Sequence, residues 1–476
     1  MTKQTNAKRP KVKKTAPKTK SQTTKRRQPR KRQSTWEKML KRLNKLERKH
    51  VIAAIVIVIA IGVVLSLSFA LVARETASAD VYNIVCRDKK TNQIIKPDTK
   101  VYKTYGISGY FMYTSSNGCY NRQQVERSHK MGANTLVTFG STLKSVSSSA
   151  LSSGNFSTFR PGGQNGYNYI KQKSGARINR IFTYSDKLTF SSKSLACGSK
   201  RNGVHTDSKG AVFTWWLFPT DSAYSSCSSP SNTYDLVVAY SPTKSDGNTI
   251  LISNAARYGM KVYLGLPKPQ PNPKVTYVAD TSYTHTLGSF ATRVLATWNQ
   301  RFGSANAFAG VYQTLETPTF SNKSIWQPNL TVYTILNKVT QYRLPKAKER
   351  VLISPYADFK LQPTSTILSS YREIVKTGGG AHIILMPQDG VGTGRVGISR
   401  VDTLYSQAKK AGAAEFWANV EAFKPGGGLG KRTNTNKATL DSQIAHAKKY
   451  ASKTLSYNWN YMESSGIARQ ILGSNY

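Results

Sequence analysis

A run of 23 uncharged residues near the N-terminus, residues 51–73, divides the chain into two different parts. Val, Ile, Leu and Ala dominate it, and no other stretch of the 476 residues is as long and as apolar. An α-helix needs about 20 apolar residues to cross the hydrocarbon layer of a bilayer. We therefore predict one transmembrane helix. A buried core helix is the alternative, but such helices rarely exclude polar residues for so long.

The charge on the N-terminal side predicts the orientation of this helix. Residues 1–50 contain 20 Lys or Arg residues and two Glu residues, a net charge of +18. Positive flanks stay in the cytoplasm, so the C-terminal domain is expected outside the cell membrane. A signal peptide cleaved near Ala77-Ser78-Ala79 is the alternative, although the run exceeds the ~7–15 residues of a signal-peptide core.

The basic charge also suggests partners. The polar tail is expected to be disordered up to about Ser34, and residues 36–50 are expected to contact anionic membrane lipid. Residues 51–476 carry the remaining +28 of the total of +46. This favours contact with anionic wall polymers or acidic glycans, although a generally basic proteome would give the same excess. No nucleic acid is expected, because membrane topology already accounts for the tail.

All four cysteines, Cys86, Cys119, Cys197 and Cys227, follow the apolar run. An even number in an oxidising compartment predicts two disulfides. Three pairings are possible, and proximity in sequence favours Cys86–Cys119 and Cys197–Cys227. The cysteines are not spaced as in a zinc site, and the six histidines form no metal-binding motif. We expect no cofactor.

Short runs rich in β-branched and aromatic residues alternate with helical patterns beyond the anchor. Strands are predicted at residues 107–113, 135–139, 261–266, 308–316, 350–356, 382–386, 414–423 and 454–461. Apolar residues between them recur at helix spacing, as at Leu287, Phe290, Val294 and Trp298. Eight such units predict an α/β fold, a closed (β/α)8 TIM barrel.

Residues 141–244 break this alternation and are rich in Ser, Gly, Thr and Asn. Treated as an insertion, they leave 269 of the 373 residues in 104–476 for the barrel, close to the ~250 that are typical. Residues 74–103 are then a linker and N-terminal extension. Because the insertion follows a strand, we expect a lid or a substrate wall at the mouth. A surface elaboration away from the pocket is the alternative.

Acids at the carboxyl-terminal ends of the strands are candidate catalytic residues in such a barrel. Glu316 ends the fourth predicted strand, and Glu421 lies at the end of the seventh. Alternation places Tyr312 on the same side as Glu316, and Trp417 and Asn419 on the same side as Glu421. If those sides face the barrel axis, two carboxylates enter one cavity. Two carboxylates are the minimum equipment for cleaving a glycosidic bond.

Acids at the fourth and seventh strands are also the arrangement of a large superfamily of retaining glycosidases. By that analogy Glu316 is the acid/base and Glu421 the nucleophile, with carboxyl groups ~5–5.5 Å apart. Those enzymes usually carry Asn before the acid/base, where this chain has Leu315. Asp389, after the sixth strand, is a third candidate that could tune a neighbouring pKa or bind a sugar hydroxyl. Helix capping or ion pairing is the structural alternative for each glutamate alone.

Aromatic residues near the strand ends are candidate sugar-binding residues, because sugars stack on Trp and Tyr rings. Tyr457, Trp459 and Tyr461 alternate along the predicted eighth strand, and Trp459 is the preferred floor of a subsite. The complete predicted substrate-binding set is Tyr110, Tyr312, Gln388, Trp417, Asn419, Tyr457 and Trp459. Core packing is the alternative for each aromatic residue.

Six motifs within residues 107–465 together resemble a bacterial family of glycoside-hydrolase-like TIM barrels. They are GMKVYLGL from Gly259, FAGVY from Phe308, VLISPY from Val351, PQDGVG from Pro387, WANVE from Trp417 and YNWNYM from Tyr457. The resemblance implies a barrel and a carbohydrate substrate. The insertion and the basic tail depart from the family pattern and leave the choice of substrate open.

The sequence thus predicts a membrane-anchored extracellular glycoside hydrolase that acts on cell-wall or surface polysaccharide. A non-catalytic carbohydrate-binding or adhesion barrel at the cell surface is the alternative. A metal-dependent hydrolase or deacetylase lacks the His/Asp cluster that it would need.

Overall fold

The computed structural model describes residues 84–186, 188–190, 197–243, 245–427 and 431–476. The basic tail and the predicted transmembrane helix lie outside the described residues, so both remain predictions. All described residues belong to one compact unit. Within them, no helix combines the length and the apolarity needed to cross a membrane.

The strands and helices of the described residues are numbered in chain order. The strands are β1 (Gly109–Met112), β2 (Thr135–Thr138), β3 (Thr142–Val146), β4 (Arg177–Ser185), β5 (Asn202–Thr206), β6 (Val212–Pro219), β7 (Thr233–Ser241), β8 (Lys261–Gly265), β9 (Lys268–Pro269), β10 (Phe308–Gln313), β11 (Pro318–Thr319), β12 (Arg350–Ile353), β13 (Tyr356–Ala357), β14 (His382–Leu385), β15 (Glu415–Glu421), β16 (Phe423–Pro425), β17 (Arg432–Asn434) and β18 (Lys453–Tyr457). The α-helices are α1 (Gly118–Lys130), α2 (Gly166–Ser174), α3 (Gly247–Arg257), α4 (Thr284–Phe302), α5 (Lys323–Arg343), α6 (Ile367–Lys376), α7 (Val401–Lys409), α8 (Lys437–Lys448), α9 (Trp459–Ser464) and α10 (Ile467–Leu472).

Eight strands close into a parallel barrel, which confirms the predicted (β/α)8 fold. Their order around the barrel is β1-β2-β8-β10-β12-β14-β15-β18. Each predicted strand range overlaps one of these strands. Alternate residues point to opposite sides of a strand, and each barrel strand sends at least one side chain into the interior. One from each is Phe111, Val137, Tyr263, Tyr312, Leu352, Ile384, Trp417 and Leu455.

Capping residues explain where several outer helices begin. Asn117, Asp246, Asn322 and Asn436 each precede a helix, and each side chain accepts a hydrogen bond from a backbone N–H of the first turn. Such caps satisfy N–H groups that have no partner within the helix. They therefore fix the ends of the strand-to-helix loops that surround the mouth of the barrel.

The segment that interrupts the barrel pattern contributes most of a second sheet, whose order is β5-β6-β7-β4-β3-β9. One face of this sheet has its own apolar core, which includes Phe213 and Trp215. The other face packs on α4, where the ring centroids of Trp216 and Phe290 are 5.8 Å apart. The edge pair β3–β9 joins the loops after the second and third barrel strands. These contacts indicate that the inserted segment forms a wall beside the mouth, and they argue against a lid that covers it.

In both disulfides, each cysteine is bonded to the partner that proximity in sequence favoured. Cys86–Cys119 ties the N-terminal extension to the first turn of α1. Cys197–Cys227 closes a loop of the inserted sheet. The predicted pairing is therefore confirmed, and each bridge joins segments about 30 residues apart, where a cross-link restricts the unfolded chain appreciably.

Candidate active site

Both predicted catalytic glutamates follow inward-facing residues of barrel strands and lie at the mouth of the barrel. Trp417 faces the barrel interior, so Asn419 and Glu421, two and four residues later in β15, face inward as well. Tyr312 faces inward from β10, and Glu316 follows just beyond the end of that strand. The two glutamates therefore approach one mouth from strands that are separated by β12 and β14.

Glu421 is the last residue of β15 and is only 2% exposed. Its Oε2 accepts a hydrogen bond from the backbone N–H of Thr393 at 2.8 Å. A Cβ on Gly392 would come within 2.6 Å of the Cβ of Glu421 and 3.0 Å of its Oε2. The loop after β14 can therefore hold this carboxylate because position 392 has no side chain.

Glu316 is partly exposed and is supported from below by Tyr312. The hydroxyl of Tyr312 donates to Oε1 of Glu316 at 3.4 Å. Leu315 is buried in the main apolar core, and its carbonyl accepts a hydrogen bond from the hydroxyl of Tyr333 on α5. The neighbouring Glu316 is thereby turned to the mouth. Tyr312 itself is 1% exposed, so it supports Glu316 and does not offer a surface for a sugar.

The two glutamates and Arg432 act on one another electrostatically. Burial raises the pKa of Glu421 to about 7, and the charge of Glu316 contributes to this rise. The N–H of Thr393 and the guanidinium of Arg432 oppose it. The positive charge of Arg432 and the negative charge of Glu316 therefore shift the pKa of Glu421 in opposite directions.

Asp389, the third predicted catalytic residue, faces the helix layer and not the mouth. It is completely buried, and its Oδ1 accepts the backbone N–H of Val391 at 3.0 Å. Its Oδ2 accepts Nε2 of Gln443 at 2.7 Å, and this amide also donates to the carbonyl of Glu421 at 3.2 Å. Burial and the charge of Glu421 raise the pKa of Asp389 well above its ordinary value. Asp389 therefore positions the loop beside Glu421, and this placement leaves it out of reach of a sugar hydroxyl.

Gln388 and Asn419 form a polar inner wall below the glutamates. Nδ2 of Asn419 donates to Oγ of Ser354 at 3.0 Å, and Nε2 of Gln388 donates to the carbonyl of Ser354 at 3.3 Å. Both side chains are buried, and Oδ1 of Asn419 has no hydrogen-bond partner among the described residues. This acceptor lies one inward-facing position below Glu421.

Three aromatic residues, Tyr113, Phe139 and Tyr457, form an aromatic surface at the mouth. The ring of Phe139 lies 4.7 Å from that of Tyr113 and 5.5 Å from that of Tyr457, measured between centroids. Tyr113 is 51% exposed. Tyr113 and Phe139 were not among the predicted site residues, although each follows an inward-facing residue, Phe111 or Val137, by two positions. Alternation could therefore have found both.

Three residues of the predicted substrate-binding set are placed away from the mouth. Tyr110 faces outward from β1 and packs edge-to-face on Trp459, with ring centroids 5.0 Å apart, and both are fully buried. Trp459 begins α9 and is not in a strand, because the side chain of Asn458 caps that helix. Trp417 faces inward near the amino-terminal end of the barrel, where its indole N–H donates to Glu415 at 3.0 Å.

Arg432 is a charged residue of the mouth that sequence reasoning missed. It is exposed at the start of β17, in a hairpin with β16 that follows the seventh barrel strand. Its guanidinium carbon lies 4.5 Å from the ring centroid of Phe423 and 5.3 Å from that of Tyr457. A glycine-rich segment separates it from β15, and no periodic pattern in the sequence indicates that the chain returns to the mouth.

The mouth presents two carboxylates, a guanidinium, amides and aromatic rings. Within the part of the chain that the structure describes, no three His, Cys, Asp or Glu side chains are grouped to hold a metal ion. The groups that are present can hydrogen-bond a polyhydroxylated ligand, stack on its rings and transfer protons.

Comparison with protein families assigns the chain to one of them. The profile of the family described as "Domain of unknown function (DUF4434)" matches residues 223–466, just over half of the chain. The chain belongs to the DUF4434 family. The matched part contains six of the barrel strands together with Glu316, Glu421 and Arg432. Comparison with curated proteins gave no match.

Several solved structures share low similarity with this DUF4434 member. A Bacteroides thetaiotaomicron protein, provisionally named an alpha-L-fucosidase, is 13% identical with a TM-score of 0.44, over 82% of this chain and 99% of its own. An intracellular xylanase of Thermoanaerobacterium saccharolyticum is 14% identical with a TM-score of 0.30, over 45% and 71%. An endo-beta-1,4-mannanase of Thermotoga petrophila is 9% identical with a TM-score of 0.31, over 74% and 78%. At these values, the function of the chain has to be inferred from its own residues.

Proposed function

We propose that the protein is a retaining glycoside hydrolase that acts on a cell-wall or surface polysaccharide. The observation that carries this proposal is the pair of carboxyl groups at the mouth, with Glu316 just beyond the fourth barrel strand and Glu421 at the end of the seventh. Glycosidic bond cleavage needs two carboxyl groups with different tasks. One is buried and fixed by Thr393, and the other is more exposed.

The environments of Glu421 and Glu316 suit different roles in a double displacement. Glu421, held in place at the end of its strand, attacks the anomeric carbon while Glu316 protonates the leaving oxygen. Glu316 then removes a proton from water, which attacks the anomeric carbon and releases Glu421. This mechanism requires carboxyl groups ~5–5.5 Å apart.

The substrate would lie along the aromatic surface. Tyr113, Phe139 and Tyr457 offer ring faces and edges on which the C–H faces of sugars pack. The unpaired Oδ1 of Asn419 offers an acceptor for a hydroxyl of the sugar nearest to Glu421. A buried acceptor without a partner is costly, so we expect a substrate hydroxyl or water to occupy it.

Glycan release tests the proposal. Purified full-length protein in detergent is incubated with wall and capsular polysaccharides, and soluble products are measured. We expect Glu316→Gln and Glu421→Gln each to reduce release at least about 10³-fold, because each removes one chemical task. The matched control is Glu373→Gln, since Glu373 forms ion pairs on the outer helix α6. Release that survives both active-site substitutions would contradict these assignments.

A non-catalytic glycan-binding barrel is the second candidate, favoured by one observation. Glu421 is only 2% exposed, which restricts access for a nucleophile. In that case wild type binds glycans through the aromatic surface without releasing products. Tyr113→Ala would then weaken binding, whereas Glu421→Gln would not.

We also propose that the protein is a single-pass protein of the cell membrane, with its N-terminus in the cytoplasm and the barrel outside. The two disulfides support this location, because disulfides persist in oxidising compartments. The basic tail would then contact anionic lipid. Protease added to intact spheroplasts should digest the barrel and spare an N-terminal tag. Protection of the barrel would contradict this orientation.

A further inference from the structure

Arg432 is oriented by its neighbours and keeps part of its hydrogen-bonding capacity. In the β16–β17 hairpin, Pro425 pairs with Arg432, so Phe423 and Arg432 lie on the same face. The guanidinium stacks over the rings of Phe423 and Tyr457, which restrains its plane. No described carboxylate lies within 4 Å of its nitrogen atoms. Its N–H groups are therefore not consumed by a salt bridge with either glutamate.

The loops after the fifth, sixth and seventh barrel strands, at the same end of the barrel as this arginine, contain more cations than acids. Their exposed or partly exposed cations are Lys360, Arg395, Arg400, Lys424, Lys431 and Arg432. The acids in the same loops are Asp358 and the buried Asp389. An excess of positive charge at one end of the barrel attracts ligands of the opposite sign.

We propose that Arg432 is a specificity-determining residue that binds an anionic group, a carboxylate or a phosphate, on the glycan held at the mouth. Guanidinium groups bind both of these planar or forked acceptors through paired N–H donors. The position beside Glu316 and Glu421 places the anionic group on a sugar at or next to the bond to be cleaved. The inference rests on the proposed glycan substrate, but the recognition does not require cleavage.

Binding measured without turnover tests this recognition. Full-length protein carrying Glu316→Gln is titrated with polygalacturonate oligosaccharides, with the same oligosaccharides after carboxyl reduction, and with glycerol phosphate polymer. We expect at least one anionic probe to bind about tenfold more tightly than the neutral one, the effect of one charge-assisted hydrogen-bonded contact. The preferred probe distinguishes carboxylate from phosphate recognition.

Variants of the β16–β17 hairpin distinguish a specific contact of Arg432 with the anionic group from an effect of the overall positive charge. Adding Arg432→Gln should abolish the preference for the anionic probe, and Arg432→Lys should retain part of it. Lys424→Gln is the matched control, because Lys424 is exposed on the opposite face of the same hairpin. It should retain the preference.

Two results would overturn the inference. One is equal binding of anionic and neutral probes, and the other is an equal loss of preference in Lys424→Gln and Arg432→Gln. The proposed hydrolase can fail separately. Arg432-dependent binding without glycan release by the wild type would support a binding barrel for acidic glycans. Release from neutral polysaccharide alone would support the hydrolase and contradict the role of Arg432.

Discussion

Glu421 combines burial with a nearby charge of the same sign, and both disfavour its ionised form. Its pKa is raised to about 7, so its carboxyl group stays protonated well above the range of an exposed glutamate. A nucleophile must be ionised. If Glu421 is the nucleophile, kcat/KM should rise as the pH increases through about 7, with most activity lost one to two pH units lower.

The pH profile therefore distinguishes the two possible role assignments. If Glu421 were the general acid, it would have to be protonated, and kcat/KM would fall as the pH increases through the same range. The measurement is kcat/KM between pH 5 and 9 on the released glycan. Arg432→Gln provides a control, because removing a cation that lowers the pKa of Glu421 should move this limb to higher pH.

Alternation along β15 predicted the inward side of Glu421, whereas its failure at another position has a local cause. The rule held for β15 because that strand runs without interruption to Glu421. It failed for Trp459 because the side chain of Asn458 accepts the N–H of Tyr461 and starts a helix. The Asn is visible in the sequence as a helix-capping residue, but YNWNY also reads as an alternating strand. Local capping thus competed with periodicity.

At the scale of elements, the loop after β14 holds the candidate nucleophile through backbone contacts. Ala at position 392 would push on the Cβ of Glu421 and on the carbonyl of Phe423, each only 2.6 Å from the new Cβ. We expect Gly392→Ala to shift Glu421 and reduce kcat by roughly 10²-fold, the scale of a misplacement near 1 Å. Gly427→Ala is the matched control, because its Cβ would meet nothing within 4 Å. Unchanged kcat in Gly392→Ala would remove this loop from the site.

The barrel strands were predictable and the accessory strands were not. Barrel strands such as β12 and β14 are short apolar runs, because both of their faces are buried. The β16–β17 hairpin contains Arg, Thr, Asn and Lys, and its order comes from pairing at the mouth. Composition alone describes such a segment as a loop, which is why Arg432 was missed.

At the scale of the whole molecule, the second sheet is joined to the barrel at two places. Its edge strand β9 follows the barrel strand β8, and one face of the sheet packs on α4 through Trp216 and Phe290. The opposite face holds a separate core around Trp215. Adjacent residues of β6 therefore pack into different cores. The sequence shows β6 as an apolar run, but it does not show which residue belongs to which core.

These neighbouring tryptophans test whether the sheet and barrel unfold together. Trp215 and Trp216 are 2% and 1% exposed, and replacing a buried Trp by Ala costs about 3–5 kcal/mol. Because the two joints couple the sheet to the barrel, we expect Trp215→Ala and Trp216→Ala to lower one shared unfolding transition in calorimetry by similar amounts. An independent appendage would instead give Trp215→Ala a second transition at lower temperature, while the main transition kept its position. In that case the wall of the mouth would fold apart from the barrel, and glycan release should persist after the first transition.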